Sequence, residues 1–284
     1  MKLTQLRNAT VVVEVGESVI LVDPMLARAG RLPPLRWLAR HRRANPLVEL
    51  PDSADALLDR VTHCLVTHCR KGHFDHLDRA AVRWLRERNT PVICMPDDAA
   101  YLGRRGLNVK PLNVETVNHE KIADFLDGTI RPVPCRHGHG WVGRLMAHGH
   151  GYCIELAGEP RVYLAGDTVL TDEVRQFLTR HQPDVSVIPA GGARFDVGRP
   201  IIMGACDAIE VARLTRGVVV ANHLEALDHC PVGRDELRVA ARLYGVAERL
   251  RVPQDGETLV FAWGSADLAD DDVAPRTQPA VAFA

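Results

Sequence analysis

Thr67-His68-Cys69-Arg70-Lys71-Gly72-His73-Phe74-Asp75-His76-Leu77-Asp78 packs three histidines and two aspartates into twelve residues. The apolar run 61–67 ahead of it predicts a strand. After it, Leu77, Ala81, Val82, Trp84 and Leu85 recur among Arg and Glu at helical spacing, so 77–88 predicts an amphipathic helix. The segment is therefore a loop between a strand end and a helix start, where sites tend to be built. Imidazole nitrogens and carboxylate oxygens bind zinc, iron or manganese. Two divalent ions about 4 Å apart can share a hydroxide whose proton affinity they lower.

The same strand, turn and helix succession extends outward in both directions. Upstream, the β-branched runs 10–15 and 19–22, separated by Gly16-Glu17-Ser18, predict a hairpin. Asp23-Pro24 opens a Gly-, Pro- and Arg-rich connection with Pro33-Pro34, read as irregular structure overhanging a site. Asp52-Ser53 precedes Ala54, Leu57, Leu58 and Val61, a short capped helix. Downstream, strands 91–95 and 109–112 flank a helix started by Asp97-Asp98 and running through Arg105. Strands follow at 129–134, 152–156 and 162–165, then helices at 171–180, 205–214 and 234–243 separated by strands 185–188 and 218–220. Such interleaving indicates an α/β sandwich or a doubly wound sheet, and periodicity does not separate them.

Three more strand ends carry chemistry: Arg136-His137-Gly138-His139, Gly166-Asp167-Thr168 and Ala221-Asn222-His223. Singly, each has a plain structural explanation. Asp167 could cap the next helix, and a histidine at a strand end is usually hydrogen-bonded or on the surface. Four such clusters at four strand ends point to a metal site.

Composition narrows the class. With 284 residues, 46% hydrophobic and 25% charged, the chain is an ordinary globular protein. One layered domain over 1–264 is expected, with a loosely ordered acidic tail at 265–284. No apolar run of about 18 residues and no basic-then-apolar start is present, so no membrane segment and a cytoplasmic location are expected. The seven cysteines are scattered without a CxxC pair, which fits reduced thiols. A net charge of −1 and a pI near 6.9 give no general attraction to nucleic acid. The arginine-rich stretch 28–43 is a local exception, either a solvated face or a basic rim over an anionic substrate.

Read in order, these motifs resemble the metallo-β-lactamase superfamily over most of the chain, to about Trp263. Within it they resemble the lactonase-like branch of ascorbate-6-phosphate lactonase and N-acylphosphatidylethanolamine phospholipase D type enzymes. Thr4-Gln5-Leu6-Arg7-Asn8-Ala9-Thr10 and Leu21-Val22-Asp23-Pro24-Met25-Leu26 look like the branch's first hairpin, and Asn45-Pro46-Leu47-Val48-Glu49-Leu50-Pro51 is similar to another of its segments. Gly166-Asp167-Thr168 matches the bridging-aspartate motif, and His223-Leu224-Glu225-Ala226-Leu227 resembles the final ligand loop.

The resemblance implies an α/β fold, a four-layer αββα sandwich with two divalent metal ions at one edge, zinc first and manganese or iron next. It places first-site ligands at His68, His73 and His137, second-site ligands at Asp75, His76 and His223, and a bridging carboxylate at Asp167. The family pattern is His-x-His-x-Asp-His, whereas four residues separate His68 from His73 here. Either three inserted residues keep His68 as a ligand, or the first histidine is lost and Lys71 stands two residues before His73. A cationic Lys71 beside two metal ions is electrostatically costly, which favours an insertion whose longer loop swings Lys71 outward. Single-metal chemistry at Asp75, His76, Asp167 and His223 is the fallback.

The implied activity is hydrolysis of a lactone, ester or phosphodiester by a metal-bound hydroxide, with Asp75 and His229 as the catalytic residues. Asp75 orients the nucleophile, and His229, six residues past His223, contacts substrate or hydrogen-bonds a ligand. His139, His148 and His150 compete with His137, which follows its strand immediately. Phe195, Trp37 and Trp141 are candidate pocket walls. Gly191-Gly192-Ala193-Arg194 either offers amides or a guanidinium to an anionic substrate or is a tight turn. The expected partner is a small molecule, an anionic one included, with no nucleic acid; a homo-oligomer fits the prevalence of symmetric assemblies. A nuclease of the same fold and a non-catalytic metal- or ligand-binding sensor are the alternatives.

Overall fold

The β-branched runs build two sheets. The computed structural model describes residues 1–146 and 149–262. In it, β1 (Lys2–Arg7), β2 (Thr10–Val15) and β3 (Ser18–Val22) form an antiparallel meander. β4 (His63–Leu65), β5 (Pro91–Cys94) and β6 (Asn108–Pro111) extend it in parallel. The second sheet runs antiparallel through β7 (Glu115–Val117), β8 (Glu120–Phe125), β9 (Gly128–Cys135), β10 (Gly149–Glu155) and β11 (Val162–Leu164). It continues in parallel through β12 (Val185–Pro189), β13 (Val218–Asn222) and β14 (Leu250–Arg251). β15 (Thr258–Val260) returns to the first sheet beside β1.

Parallel neighbours need crossovers, and helices supply them. α1 (Ala54–Leu58), α2 (Arg79–Glu87) and α3 (Pro96–Gly103) link β3 to β6 in turn; α5 (Asp172–His181), α6 (Ala205–Leu214) and α7 (Arg234–Leu243) link β11 to β14. α4 (Gly140–Leu145) lies between β9 and β10. Val11, Val13 and Val15 of β2 join Ile130, Tyr152, Ile154 and Val187 of the other sheet in one core. Val12, pointing the opposite way, packs with Leu21, Ala54 and Leu58. Ala81, Leu85 and Leu102 cover the rest of that face, while Val174, Leu178, Val211 and Leu237 cover the second sheet. The layers are thus αββα, a sandwich and not one doubly wound sheet. Strands buried on both faces read as continuous apolar runs, each large side chain contributing about 1.5–3 kcal/mol.

Several elements depart from expectation. α3 starts one residue before the Asp97-Asp98 pair because Pro96 takes the first helical position, where its missing N–H costs nothing. Asp167 caps no helix; Thr171 does, accepting from the Val174 amide. β1, β7, β8, α4, β14 and β15 carry no clear sequence signal. His148 and the acidic tail expected at 265–284 lie outside the described residues. No described helix is long and apolar enough to cross a membrane.

Candidate metal centre

The loops leaving the C-terminal ends of β4, β9, β11 and β13 meet at one edge of the sandwich and bring the predicted site residues together. His68, His73 and His137 form one group, Asp75, His76, Asp167 and His223 another; within each, one donor atom per residue lies within 4.8 Å of the rest. All seven are buried. In the first group, ring centroids are 4.5 Å apart for His68 and His73, 5.0 Å for His73 and His137, and 5.5 Å for His68 and His137. His68 and His76 rings lie 4.0 Å apart, so the groups adjoin.

The extra residues between His68 and His73 form a loop bent outward. Lys71 (φ 54°) and Gly72 (φ 87°) are consecutive left-handed residues. Lys71 points away, its Nζ donating to the Leu145 and Met146 carbonyls at 3.0 and 3.2 Å. His73 then folds back, its amide donating to Arg70 O. Lys71 is thereby turned away from the His68, His73 and His137 group.

The hydrogen bonds around the imidazoles decide which nitrogen carries the proton. Nδ1 of His73 faces Arg70 O, and Nδ1 of His137 donates to Ile201 O at 2.9 Å. Nδ1 of His76 faces Asp23 Oδ2 at 2.9 Å. The Thr67 hydroxyl donates to Asp23 Oδ2 at 2.6 Å, which leaves its lone pair for Nδ1–H of His68 at 3.0 Å. Nδ1 of His223 lies 3.4 Å from Cys230 Sγ. Acceptors on Nδ1 reserve Nε2 for a ligand. Nε2 of His68, His73, His76 and His223 and Oδ1 of Asp167 are indeed buried without a hydrogen bond. Orphans of that kind cost about 1–3 kcal/mol each in the absence of a partner. Five convergent orphans in a His and Asp set fit divalent cations.

Asp167 stands between the groups. Its Oδ2 is 3.1 Å from His76 Nε2, 3.3 Å from His137 Nε2 and 3.4 Å from His223 Nε2. Gly166 before it has φ 63°, and a Cβ there would meet the Thr67 side chain at 3.1 Å, so the turn that aims Asp167 requires glycine. Asp75 Oδ2 lies 3.4 Å from His223 Nε2.

Burial and neighbouring charge divide the two groups. Burial lowers His68, helped by the adjacent imidazoles, and brings His137 down to about 4, so these two are neutral near pH 7. Burial also opposes charge on His76 and His223, but Asp167 leads the carboxylates that raise both. Burial would raise Asp167 and Asp75, yet His223 and His76 hold both below the carboxylate range. The first group is built of imidazoles alone, and the second adds two carboxylates.

Of the other candidates, His229 is buried 6.3 Å from the His223 ring and 6.2 Å from the Phe195 ring, beside the second group but outside it. Phe195 packs near Ile201, Ile202, Val142 and Met146. Trp37 and Trp141 are exposed, and His139 is exposed at the start of α4. His150 belongs to β10, its amide donating to Thr67 O. At Gly191-Gly192-Ala193-Arg194 the turn reading holds: the Gly192 and Arg194 amides donate to Met203 O and His229 O. A Cβ on Gly191 would meet His223 O at 2.0 Å.

Four contributors were not anticipated. Asp23 accepts from the Thr67 amide and hydroxyl and from His76; its signal was a carboxylate ending a β-branched strand. Cys230 touches His223, and burial, which would raise its thiol, is outweighed by His229 and His223, which bring it to about 7. Asp228 and Asp196 anchor the arginine-rich stretch, which is irregular and not helical. Asp228 accepts from the Leu35 and Arg36 amides and the Asn45 side chain, and Asp196 from the Trp37 and Leu38 amides.

Residues 2–223 match the family described as Beta-lactamase superfamily domain. The chain is 32% identical over 264 residues to UPF0173 protein YddR of Bacillus subtilis (strain 168), covering 92% of this chain and all of that one. Among solved structures it is similar to an isothiocyanate hydrolase from Delia radicum gut bacteria, with 32% identity, TM-score 0.82, and 92% and 100% of the two chains covered. It is also similar to a possible metal-dependent hydrolase from Veillonella parvula DSM 2008, with 28% identity, TM-score 0.82, and 92% and 99% covered.

Proposed function

Because the chain belongs to the β-lactamase superfamily and is a metal-dependent hydrolase of the metallo-β-lactamase fold, we propose that it holds two divalent ions and hydrolyses a small, largely apolar electrophile. The observation that carries this reading is Asp167 Oδ2, in reach of histidines from both ligand groups. His68, His73 and His137 would hold one ion, Asp75, His76 and His223 the other, with Asp167 shared. Zinc suits this donor set, as do manganese and iron. When bound, two such ions lower the proton affinity of water and polarise the atom under attack.

The chain's own residues do the rest. Asp75, ionised beside His76 and His223, orients the attacking water. Burial would lower His229, but the adjacent Cys230 raises it, so its ring is suited to give a proton to the leaving atom. Phe195, Val142 and Met146 offer half-buried apolar surface beside Ile201, whose carbonyl fixes His137. That surface suits an organic substituent.

The likeness to an isothiocyanate hydrolase favours an isothiocyanate as first candidate, ahead of the lactones, esters and phosphodiesters the family resemblance implies. In that reaction water adds to the central carbon, the C–N bond breaks, both water protons pass to nitrogen, and an amine and carbonyl sulfide leave. The test is product analysis with metal-loaded protein on benzyl isothiocyanate, an acyl-homoserine lactone, p-nitrophenyl acetate and bis(p-nitrophenyl) phosphate. Amine release lost in Asp167→Asn is expected. Turnover of the phosphodiester alone would overturn the carbon-centred reading, and inactivity on all four with metal bound would favour a sensor.

A further inference from the structure

Beside the metal centre, on the outer side of its ligand loop, lies a groove of about 710 Å³ into which Arg31, Arg79, Arg83, Arg86 and Arg105 converge. Of the seven candidate ligands only His73 borders it. Arg79, Arg83 and Arg86 stand at i, i+4 and i+7 on α2, one face of the helix, and like charges so spaced oppose helix formation. Among the described residues none of Arg31, Arg79, Arg83 and Arg86 has a carboxylate partner. Arg105 is held in place, stacked 3.5 Å over the Tyr101 ring and donating to Tyr101 O. The lone acid in the wall, Asp78, is buried and committed to the Ala27 and Ala81 amides. Other arginines on this side, such as Arg70 with Asp98 and Arg88 with Asp59, are paired. The groove therefore carries uncompensated positive charge.

Its walls are not uniformly polar. Leu32 and Pro33 of the anchored loop line it together with Phe74 and Val82. The volume lies within the range of small-ligand sites, and forked guanidiniums match phosphate oxygens in pairs. We propose that this groove binds a small organic di- or triphosphate, its phosphates on the arginines and its apolar body against Leu32, Phe74 and Val82. The site is separate from the hydrolytic centre, with His73 in the wall between them.

The experiment is titration calorimetry of metal-loaded, full-length protein with ADP. Saturable binding is expected, weakened at least tenfold in Arg83→Ser/Arg86→Ser and, away from α2, in Arg31→Ser, with each variant's melting curve checked against wild type. Pyrophosphate is expected to bind at least tenfold more weakly than ADP; equal affinity would remove the apolar body from the assignment. No saturable binding of either probe at millimolar concentration would overturn the proposal. So would binding unchanged in both arginine variants but abolished by Asp167→Asn, which would place the anion on the metals. Single-stranded RNA binding where ADP fails would overturn it in favour of nucleic acid.

Discussion

His68 and His73 are brought together across a loop of four residues in which Lys71 and Gly72 turn in the left-handed sense. His68→Ala should lower metal content from about two equivalents per chain to about one, measured by elemental analysis of protein purified without added metal. Unchanged content would remove His68 from the ligand set. Asp23→Asn sets an amide donor against the Thr67 hydroxyl and Nδ1–H of His76, so second-site affinity should fall about 10–100-fold in chelator competition. The two sites should also differ in pH response. His76 and His223 are raised and carry protons that a metal must displace, so second-site affinity climbs as pH rises, about tenfold per unit for each proton released. His68 is lowered and His137 lies at about 4, so neither has a proton for a first-site metal to displace between about pH 6 and 8, and first-site affinity should climb less steeply than that of the second. The clustered histidines were legible because His and Asp stand out at apolar strand ends. Asp23 and Cys230 were not, because a residue that acts through another shows no pattern of its own until the chain folds.

Among the elements, α2 carries His76 at its entrance, and Asp78 ties that entrance down by accepting from the Ala81 amide at 2.7 Å and the Ala27 amide at 2.6 Å. Asp78→Ala loses the cap and leaves two buried donors unpaired, at a cost of about 2–4 kcal/mol by urea unfolding. A cost below about 0.5 kcal/mol would mean that water replaces the carboxylate. Strands and helices with an apolar face were readable from periodicity. β1 was not, because its Thr4, Gln5 and Arg7 are buried yet polar, hydrogen-bonded to the Thr258 hydroxyl, Asn8 O, and the Val48, Met25 and Ala27 carbonyls. β7 and β8 form an edge hairpin with exposed charged faces, turned by Asn118 and His119 at positive φ. α4 has two glycines and no buried residue, so it lacks an amphipathic signal.

Across the whole molecule, the loops of the first sheet contribute Asp23, His68, His73, Asp75 and His76 to the centre, and those of the second sheet His137, Asp167 and His223. Ions bound there fasten one sheet to the other. Chelation should therefore lower stability by about 2.7 kcal/mol for each site kept at a hundredfold over its Kd, a fall in Tm of roughly 5–10 °C by scanning calorimetry. An unchanged Tm would mean that the sandwich holds its edge without ions. The stretch over that edge is secured differently: Asp196 and Asp228 grip the main-chain amides of residues 35 to 38. A fastening that recognises peptide N–H groups is indifferent to the side chains attached to them, Arg36 excepted, whose Nε also meets Asp196. Replacing Leu35, Trp37 or Leu38 can then change what the overhang presents to an incoming molecule while its moorings stay put, which makes this rim a place where substrate range can drift between descendants without a new fold being needed.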